Sequence, residues 1–471
     1  MRAFLASSIG VTCAAVLVLP LAVPAGAAPD TRTVPAESAG PAEPVDAPGS
    51  TQSLPMRTLP ARSDRVTGEP TRAAAAPEQG LPEREVRSFS LVGVVWDDVN
   101  AELHGTVQVR TRATGTGDWS DWQDLETHNA EHGADPGTAE RESGSVRGST
   151  APLWVGDSDG VAVRVRPEAP DPQDRTASPV PLPIGLRLEL VDPGKDPQQL
   201  PATDAEAETE AASGPGTGTT AGAPSAAGAQ AAADGGTTPL SPSVLLALGK
   251  AASEAQGEAE AGLAPGAQPY IGPRPRIITR KGWGADEKLR ERTFVYTSTV
   301  KAAFIHHSAT GNNYTCSQAS SVLRGIYRYH VKSSGWRDIG YNFAVDKCGN
   351  IYEGRAGGVT RAVLGAHTLG FNTNTMGIAV LGTFTRSNPP AAAVNAVAKL
   401  TAWKLGLFGA DPRGKTTLVS GGGNKYKKGK KARLNVISGH RDGFATECPG
   451  ARLYKKLGSA RTSSAKLQGR P

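Results

Sequence analysis

Between residues 84 and 192 apolar side chains recur at every second position. Val107, Val109 and Thr111 alternate with Gln108, Arg110 and Arg112, and Val161, Val163, Val165 and Leu186, Leu188, Leu190 repeat the pattern. A two-residue period with Gly, Asp and Pro between the runs predicts short strands, hence an all-β sandwich-like domain. Trp119 and Trp122 stand three apart, so a strand would turn them to opposite faces. At most one could then be an exposed carbohydrate platform, and packing inside the sandwich is the alternative for both.

Beyond residue 273 the period changes. Residues 301–308, an apolar run over 302–305 that ends in two histidines, and residues 375–382 read as buried strands. Ala319, Val322, Leu323, Ile326, Tyr327 and His330 fall at helical spacing and predict a helix over 317–331. Val394, Val397, Ala398 and Leu405 predict another over 391–408. A hairpin turn at 347–350 separates two further strands. Strands and helices alternating in this way predict an α/β domain over 273–458, a mixed central sheet flanked by helices. Residues 28–83 and 193–272 are rich in Pro, Ala, Gly and Ser and carry no apolar period. They read as a disordered tether, or a cleaved propeptide, and a low-complexity linker with a marginal helix at 243–263. Residues 459–471 read as a disordered tail. On this division the C-terminal domain should act without residues 28–270.

Charge divides the chain more sharply than its net +6 suggests. Residues 274–470 hold 33 Lys and Arg against 9 Asp and Glu, whereas the preceding part holds 18 against 36. A basic half points to an anionic partner such as nucleic acid, a membrane surface or wall polymer. The N-terminus separates these. Arg2, an apolar run over 9–23 and the small residues Ala25, Gly26 and Ala27 make a secretory signal peptide over 1–27. Cys13 lies inside the apolar run and is not read as a lipid attachment site. No later run is long enough to span a bilayer. Export excludes a chromosomal nucleic-acid role and places the protein outside the cell, secreted or wall-associated. After cleavage Cys316, Cys348 and Cys448 remain, an odd count that asks for a free or metal-bound thiol. Pairing Cys316 with Cys348 and leaving Cys448 for a metal is the economical solution.

Candidate chemistry gathers in the basic half. His440 and Cys448 stand eight residues apart, with Pro449 expected to open a short helix and so place the thiol at a helix N-terminus. They could form half of a tetrahedral zinc site, or be a buried cysteine near an unrelated histidine. His306 and His307 end a strand and point opposite ways, so one of them could join such a site. The lysine-rich stretch over 424–433 is either a solvated charge run or an attractant for anionic polymer.

Five segments in order, IHHSAT, GWRDIGYNFAVD, GNIYEGR, GAHTLGFNTNTMGIAVLG and GHRDGFATECPG, resemble the successive motifs of the peptidoglycan recognition protein family, whose fold includes the type 2 N-acetylmuramoyl-L-alanine amidases. The likeness spans residues 277–457, and the arrangement as a whole resembles secreted actinobacterial amidases. It implies Zn2+ held by His306, His440 and Cys448, with the fourth position left to a water whose pKa the metal lowers to about 7. No fourth protein ligand stands out. Tyr341 matches the catalytic tyrosine. Thr446 stands where catalytic animal members have threonine and phage enzymes lysine, which places the chain nearer the animal type. By the same resemblance His330, Trp336, Arg355, His367, Asn372 and Asn374 border the peptidoglycan groove, and His307 is structural. The activity implied is hydrolysis of the amide between N-acetylmuramic acid and L-alanine. A recognition module that binds without cutting, or an adaptor with purely structural zinc, are the rival readings.

Overall fold

Six buried residues, Ala302–His307, form a strand with no polar face. Such a strand needs cover on both sides, the usual condition of an internal parallel strand. It belongs to a computed structural model that describes residues 49–60, 77–127, 129, 131–169, 180–196, 242–261 and 270–471. The expected signal peptide lies outside the described residues.

In the N-terminal half, β1 (Thr51–Pro55), β2 (Gln79–Trp96), β3 (Gly105–Ala113), β4 (Gln123–Leu125), β5 (Leu153–Pro167) and β6 (Arg187–Val191) form one antiparallel sheet. Their order is β1–β6–β2–β5–β3–β4, with Arg57–Thr58 and Gly148–Ser149 also paired to β2. Register shifts along β2, at Leu81/Arg84, Glu85/Phe89 and Phe89/Leu91, bend it so that it can serve more than one layer. The alternating set read from the sequence, with Val107, Val109, Val161, Val163, Leu188 and Leu190, closes the core.

Three expectations fail here for local reasons. The tether over 28–83 contains β1 and the start of β2. Pairing of β1 with β6 supplies the cohesion its composition lacks, and Leu54 packs on the core. Trp119 and Trp122 do not face apart, because the residues from 120 to 122 are not a strand and no two-residue period applies. Arg110 stacks on both rings, at 5.0 and 5.6 Å from their centroids, and Arg164 lies 4.1 Å from that of Trp122. The linker over 193–272 contains a strand and the anticipated helix, β7 (Val244–Leu245) and α1 (Lys250–Ala261).

The C-terminal half continues with β8 (Ile277–Ile278), β9 (Ala302–His307), α2 (Ala319–Arg328), β10 (Phe343–Val345), β11 (Ile351–Glu353), β12 (Thr375–Val380) and α3 (Ala391–Gly406). After these come β13 (Lys415–Val419), β14 (Lys431–Asn435), β15 (Ile437–Gly439), α4 (His440–Gly443), α5 (Ala451–Tyr454) and α6 (Leu457–Gln468). Among the described residues the mixed sheet runs β15–β9–β12–β10–β11–β8–β7, and β13–β14 is a separate hairpin. The lysine-rich stretch forms most of that hairpin's turn, where Lys427, Lys428 and Lys430 are exposed.

On one sheet face Ile305, Ile378 and Val380 pack under α3 and α6. The tail expected to be disordered is α6. Its small residues allow close approach to α3, where Thr401 donates to Ser464 at 3.1 Å and Gln468 to the Ala402 carbonyl at 2.9 Å. The other face is covered by α2. A disulfide joins Cys316, just before α2, to Cys348 in the β10–β11 turn. The N-terminal domain completes this face, with Leu91, Val95, Trp154 and Val191 packed among Val322, Leu323, Ile326 and Tyr329. The Tyr329 hydroxyl reaches the Val94 and Thr150 carbonyl oxygens at 3.2 and 3.1 Å. A Cβ at Gly93 would stand 2.4 Å from that hydroxyl, so the contact requires glycine. The two domains therefore share a core rather than sit apart on a linker.

Candidate metal centre

The register of the sheet brings distant residues together. Ile305 on β9 pairs with Gly439 on β15, so His306 and His440 follow at adjacent strand ends. Cys448 returns from the loop after α4, its Sγ 3.7 Å from His306 Nδ1. Two ligands of a tetrahedral zinc lie roughly 3.3–3.8 Å apart, from bonds of about 2.0–2.3 Å. A fourth donor joins them. The ligand atoms of His132, His306, His440 and Cys448 all lie within 4.8 Å of one another, and all four residues are buried. His132 belongs to the N-terminal domain, in the connection between β4 and β5. No convincing fourth protein ligand stood out in the sequence, and the structure supplies His132 as a candidate.

Electrostatics fit a cation here. Burial, and after it the neighbouring imidazoles, holds His306 and His440 well below the ordinary histidine value, and burial takes His132 down to about 3. All three rings are neutral, the form that ligates metal. Burial also pushes the Cys448 thiol well above its ordinary value, so a nearby cation is needed to ionise it. Both ring nitrogens of His132 and of His440 are buried without a hydrogen-bond partner. Such orphans cost about 1–3 kcal/mol each unless something satisfies them. On His306 the second nitrogen, Nε2, lies 3.3 Å from the Thr368 hydroxyl, which leaves Nδ1 toward the cluster. The helix expected to open at Pro449 begins instead at Ala451, after Gly450 at φ 84°, so Cys448 is not at a helix N-terminus.

Tyr341 lies beside the cluster, its ring centroid 5.4 Å from that of His306. Burial, with Cys448 and Glu131 adding, raises its phenol well above 10, so it keeps its proton. Thr446 donates to Glu131 at 2.6 Å and accepts from the Cys448 amide at 3.1 Å. Burial lifts Glu131 to about 7 against the pull of that hydrogen bond. The space left among His132, His330, Tyr341, Thr446 and Cys448 is about 10 Å³, room for roughly one water.

The other expected groove residues divide. His330 stacks on Trp336 at 4.3 Å, and the His330 ring centroid lies 5.8 Å from that of Tyr341. Arg355 forms a buried bidentate pair with Glu140, at 2.8 Å to each oxygen. Asn372 donates to the Gly133 carbonyl and to Asp135, at 2.8 and 2.6 Å. His367 does not line the groove. It is wholly buried behind His306, its Nδ1 3.0 Å from the Thr368 hydroxyl. Asn374 precedes β12, at the end of the sheet away from His306, and accepts from Ser298. His307 turns away and accepts from the Phe384 amide at 3.4 Å.

Sequence reasoning missed Glu131, His132, Asp135, Glu140 and Thr368. For all of these but Thr368 the available signal was the long stretch between β4 and β5. Loops beyond about 12–15 residues without regular structure are usually functional.

Two family models match the chain. One, described as Rv3811 N-terminal galactose-binding domain-like, covers residues 39–182, and the other, N-acetylmuramoyl-L-alanine amidase, covers residues 296–451. Peptidoglycan-recognition protein SC2 of Drosophila simulans is 32% identical over 183 residues, 38% of this chain and 84% of that protein. The human N-acetylmuramoyl-L-alanine amidase is 29% identical over 204 residues, 42% of this chain and 30% of that protein. A structure of peptidoglycan recognition protein-LE in complex with tracheal cytotoxin matches at 30% identity and TM-score 0.31, over 39% of this chain and 92% of that one.

Proposed function

The chain belongs to the peptidoglycan-recognition protein family, and from that premise we propose that it is a zinc-dependent amidase cleaving between N-acetylmuramic acid and L-alanine in peptidoglycan. The observation that carries this reading is the meeting of His306, His440 and Cys448 beside the protonated phenol of Tyr341. The donor set suits zinc, with two neutral imidazoles and a thiol that ionises only beside a cation. When bound, zinc acidifies water and polarises the scissile carbonyl.

His306 and His440 hold their ring orientations through the strand ends that carry them and, for His306, through Thr368. Tyr341 donates to the carbonyl oxygen as negative charge develops there. The Thr446 hydroxyl, once free of Glu131, is placed to do the same. Water oxygen adds to the lactyl carbonyl carbon, the C–N bond breaks, and the alanine nitrogen leaves with a proton. Trp336, His330 and Arg355 line the approach for the peptide stem. The exposed lysines of the β13–β14 turn add a salt-sensitive attraction to anionic wall polymer. The signal sequence supports export. No helix among the described residues is long and apolar enough to cross a membrane.

The test is mass spectrometry of peptidoglycan incubated with the zinc-loaded protein. Release of stem peptides with a free N-terminal alanine is the expected result. Binding without release would overturn the catalytic reading in favour of a recognition module. The buried fourth imidazole favours a second reading, a closed structural metal site. Loss of metal after removal of the His132 imidazole, with no cleavage by either protein, would select it.

A further inference from the structure

We propose that the N-terminal domain keeps this centre latent: residues 131–142 form a tethered plug, with His132 in the fourth metal position and Glu140 on the arginine that awaits the stem peptide. The inference rests on the amidase reading above and adds its regulation.

Geometry carries the argument. His132 has no hydrogen bond on either nitrogen, yet it is buried against the three other donors. A loop histidine avoids that cost by turning outward unless the site itself rewards it. The contacts that follow it repeat one chemical pattern. Glu131 accepts from Thr446, the Gly133 carbonyl from Asn372, Asp135 from Asn372 and the Gly370 amide, and Glu140 from Arg355. The C-terminal domain offers donors throughout, and the plug offers three carboxylates and a carbonyl. An acidic peptide would present the same acceptors, so the plug stands in for one.

The plug can leave without dismantling the fold. None of the described residues from 126 to 147 joins a ladder of either sheet, whereas the domains are held together by Leu91, Trp154 and Tyr329 elsewhere. A way in also exists. A cavity of about 310 Å³ opens between the plug and the C-terminal domain, lined by Glu140, Arg355, Phe294 and Val295 among others. A stem peptide entering there meets Arg355 first and competes with Glu140 for it, before any contact with the metal centre.

The test uses the full chain loaded with Co2+, azide as a small metal-binding probe, and a soluble disaccharide tripeptide from peptidoglycan. The wild-type visible spectrum should ignore azide, and that of His132→Ala should shift as azide takes the vacated position. By calorimetry the muropeptide should bind His132→Ala and Glu140→Gln about tenfold or more tighter than wild type, the ratio expected if the open state is a tenth or less of the population. Hydrogen exchange in residues 126–147 of the wild type should rise when muropeptide is added, a measurement that needs no variant to fold. Equal muropeptide affinity in all three proteins, or a plug that stays protected with muropeptide bound, would overturn latency and leave the amidase reading standing. Absence of muropeptide binding in every protein would remove both. An azide-sensitive wild-type spectrum would remove His132 from the coordination sphere.

Discussion

The two faces of the C-terminal sheet are buried by different means. Under α3 and α6 the cover comes from the same domain, and Trp403, Leu400 and Leu457 are almost fully buried within it. The α2 face ends in a seam with another domain, where Trp154 and Leu91 complete what α2 begins. The metal cluster lies on the second face. The self-contained face gives rigidity to the strand ends that position His306 and His440. The shared face admits a foreign loop to the same site. Stability and control are thus placed on opposite sides of one sheet.

The largest expected effect comes from separating the domains. A chain beginning at residue 242 keeps β7 but uncovers the apolar side of α2, and should melt without cooperativity or self-associate. Light scattering and thermal unfolding would detect this, and a monomer with a sharp transition would show that the seam is dispensable. Cys448→Ser should lower metal affinity by more than the ~10–100-fold typical of losing a supporting group, and end cleavage. Metal analysis should find little zinc, while the melting of the α3 face stays close to wild type in metal-free samples. Trp403→Ala and Trp154→Ala should each destabilise by about 3–5 kcal/mol, but differently. The first should lower the unfolding temperature of the whole domain. The second should chiefly raise proteolysis within residues 126–147, and equal proteolysis in the two variants would erase the distinction between the faces. Tyr341→Phe should retain zinc and lose about 10²–10³-fold in rate, read by single-turnover assay.

The smallest effect concerns pH. Burial works to raise the Glu140 pKa, and the Arg355 guanidinium, aided by Arg337, more than offsets it, so the folded value lies below the ordinary 4.5. A depressed carboxylate contributes stability above its unfolded value and loses it as pH falls through the folded one. The Glu140–Arg355 contact should therefore weaken only in acid below the ordinary glutamate range, where hydrogen exchange around residue 140 should rise, whereas Glu131, lifted by burial to about 7, works against docking as pH rises toward neutral. Exchange that rises from neutral pH would contradict this assignment.

Much of the fold was legible because its signals are local. Alternation in Val161, Val163 and Val165, or helical spacing in Val322, Leu323 and Ile326, needs no partner to be read. The gathering of His306, His440 and Cys448 was legible through motif order, since each sits at a strand end or tight loop that the motif itself describes. His132 was not, because nothing local marks it. Its placement depends on the seam between domains, and no periodicity encodes that seam. The strand β1 and the helix α6 escaped for a related reason. Their stability comes from pairing with β6 and from close approach to α3, whereas their own sequences are polar or small-residued. Trp119 and Trp122 were misread by applying a strand period where the chain has no strand.

The covalent connection between the plug and the centre it fills has a consequence for how occupancy responds to concentration. Because both belong to one chain, their encounter is intramolecular, with an effective concentration that short tethers place in the millimolar range. Dilution of the protein leaves that figure untouched. A single soluble stem peptide must outcompete it alone, whereas a wall polymer presents many stems at once and raises its own local concentration to the same order. The Glu140–Arg355 contact thereby favours response to assembled wall over response to fragments.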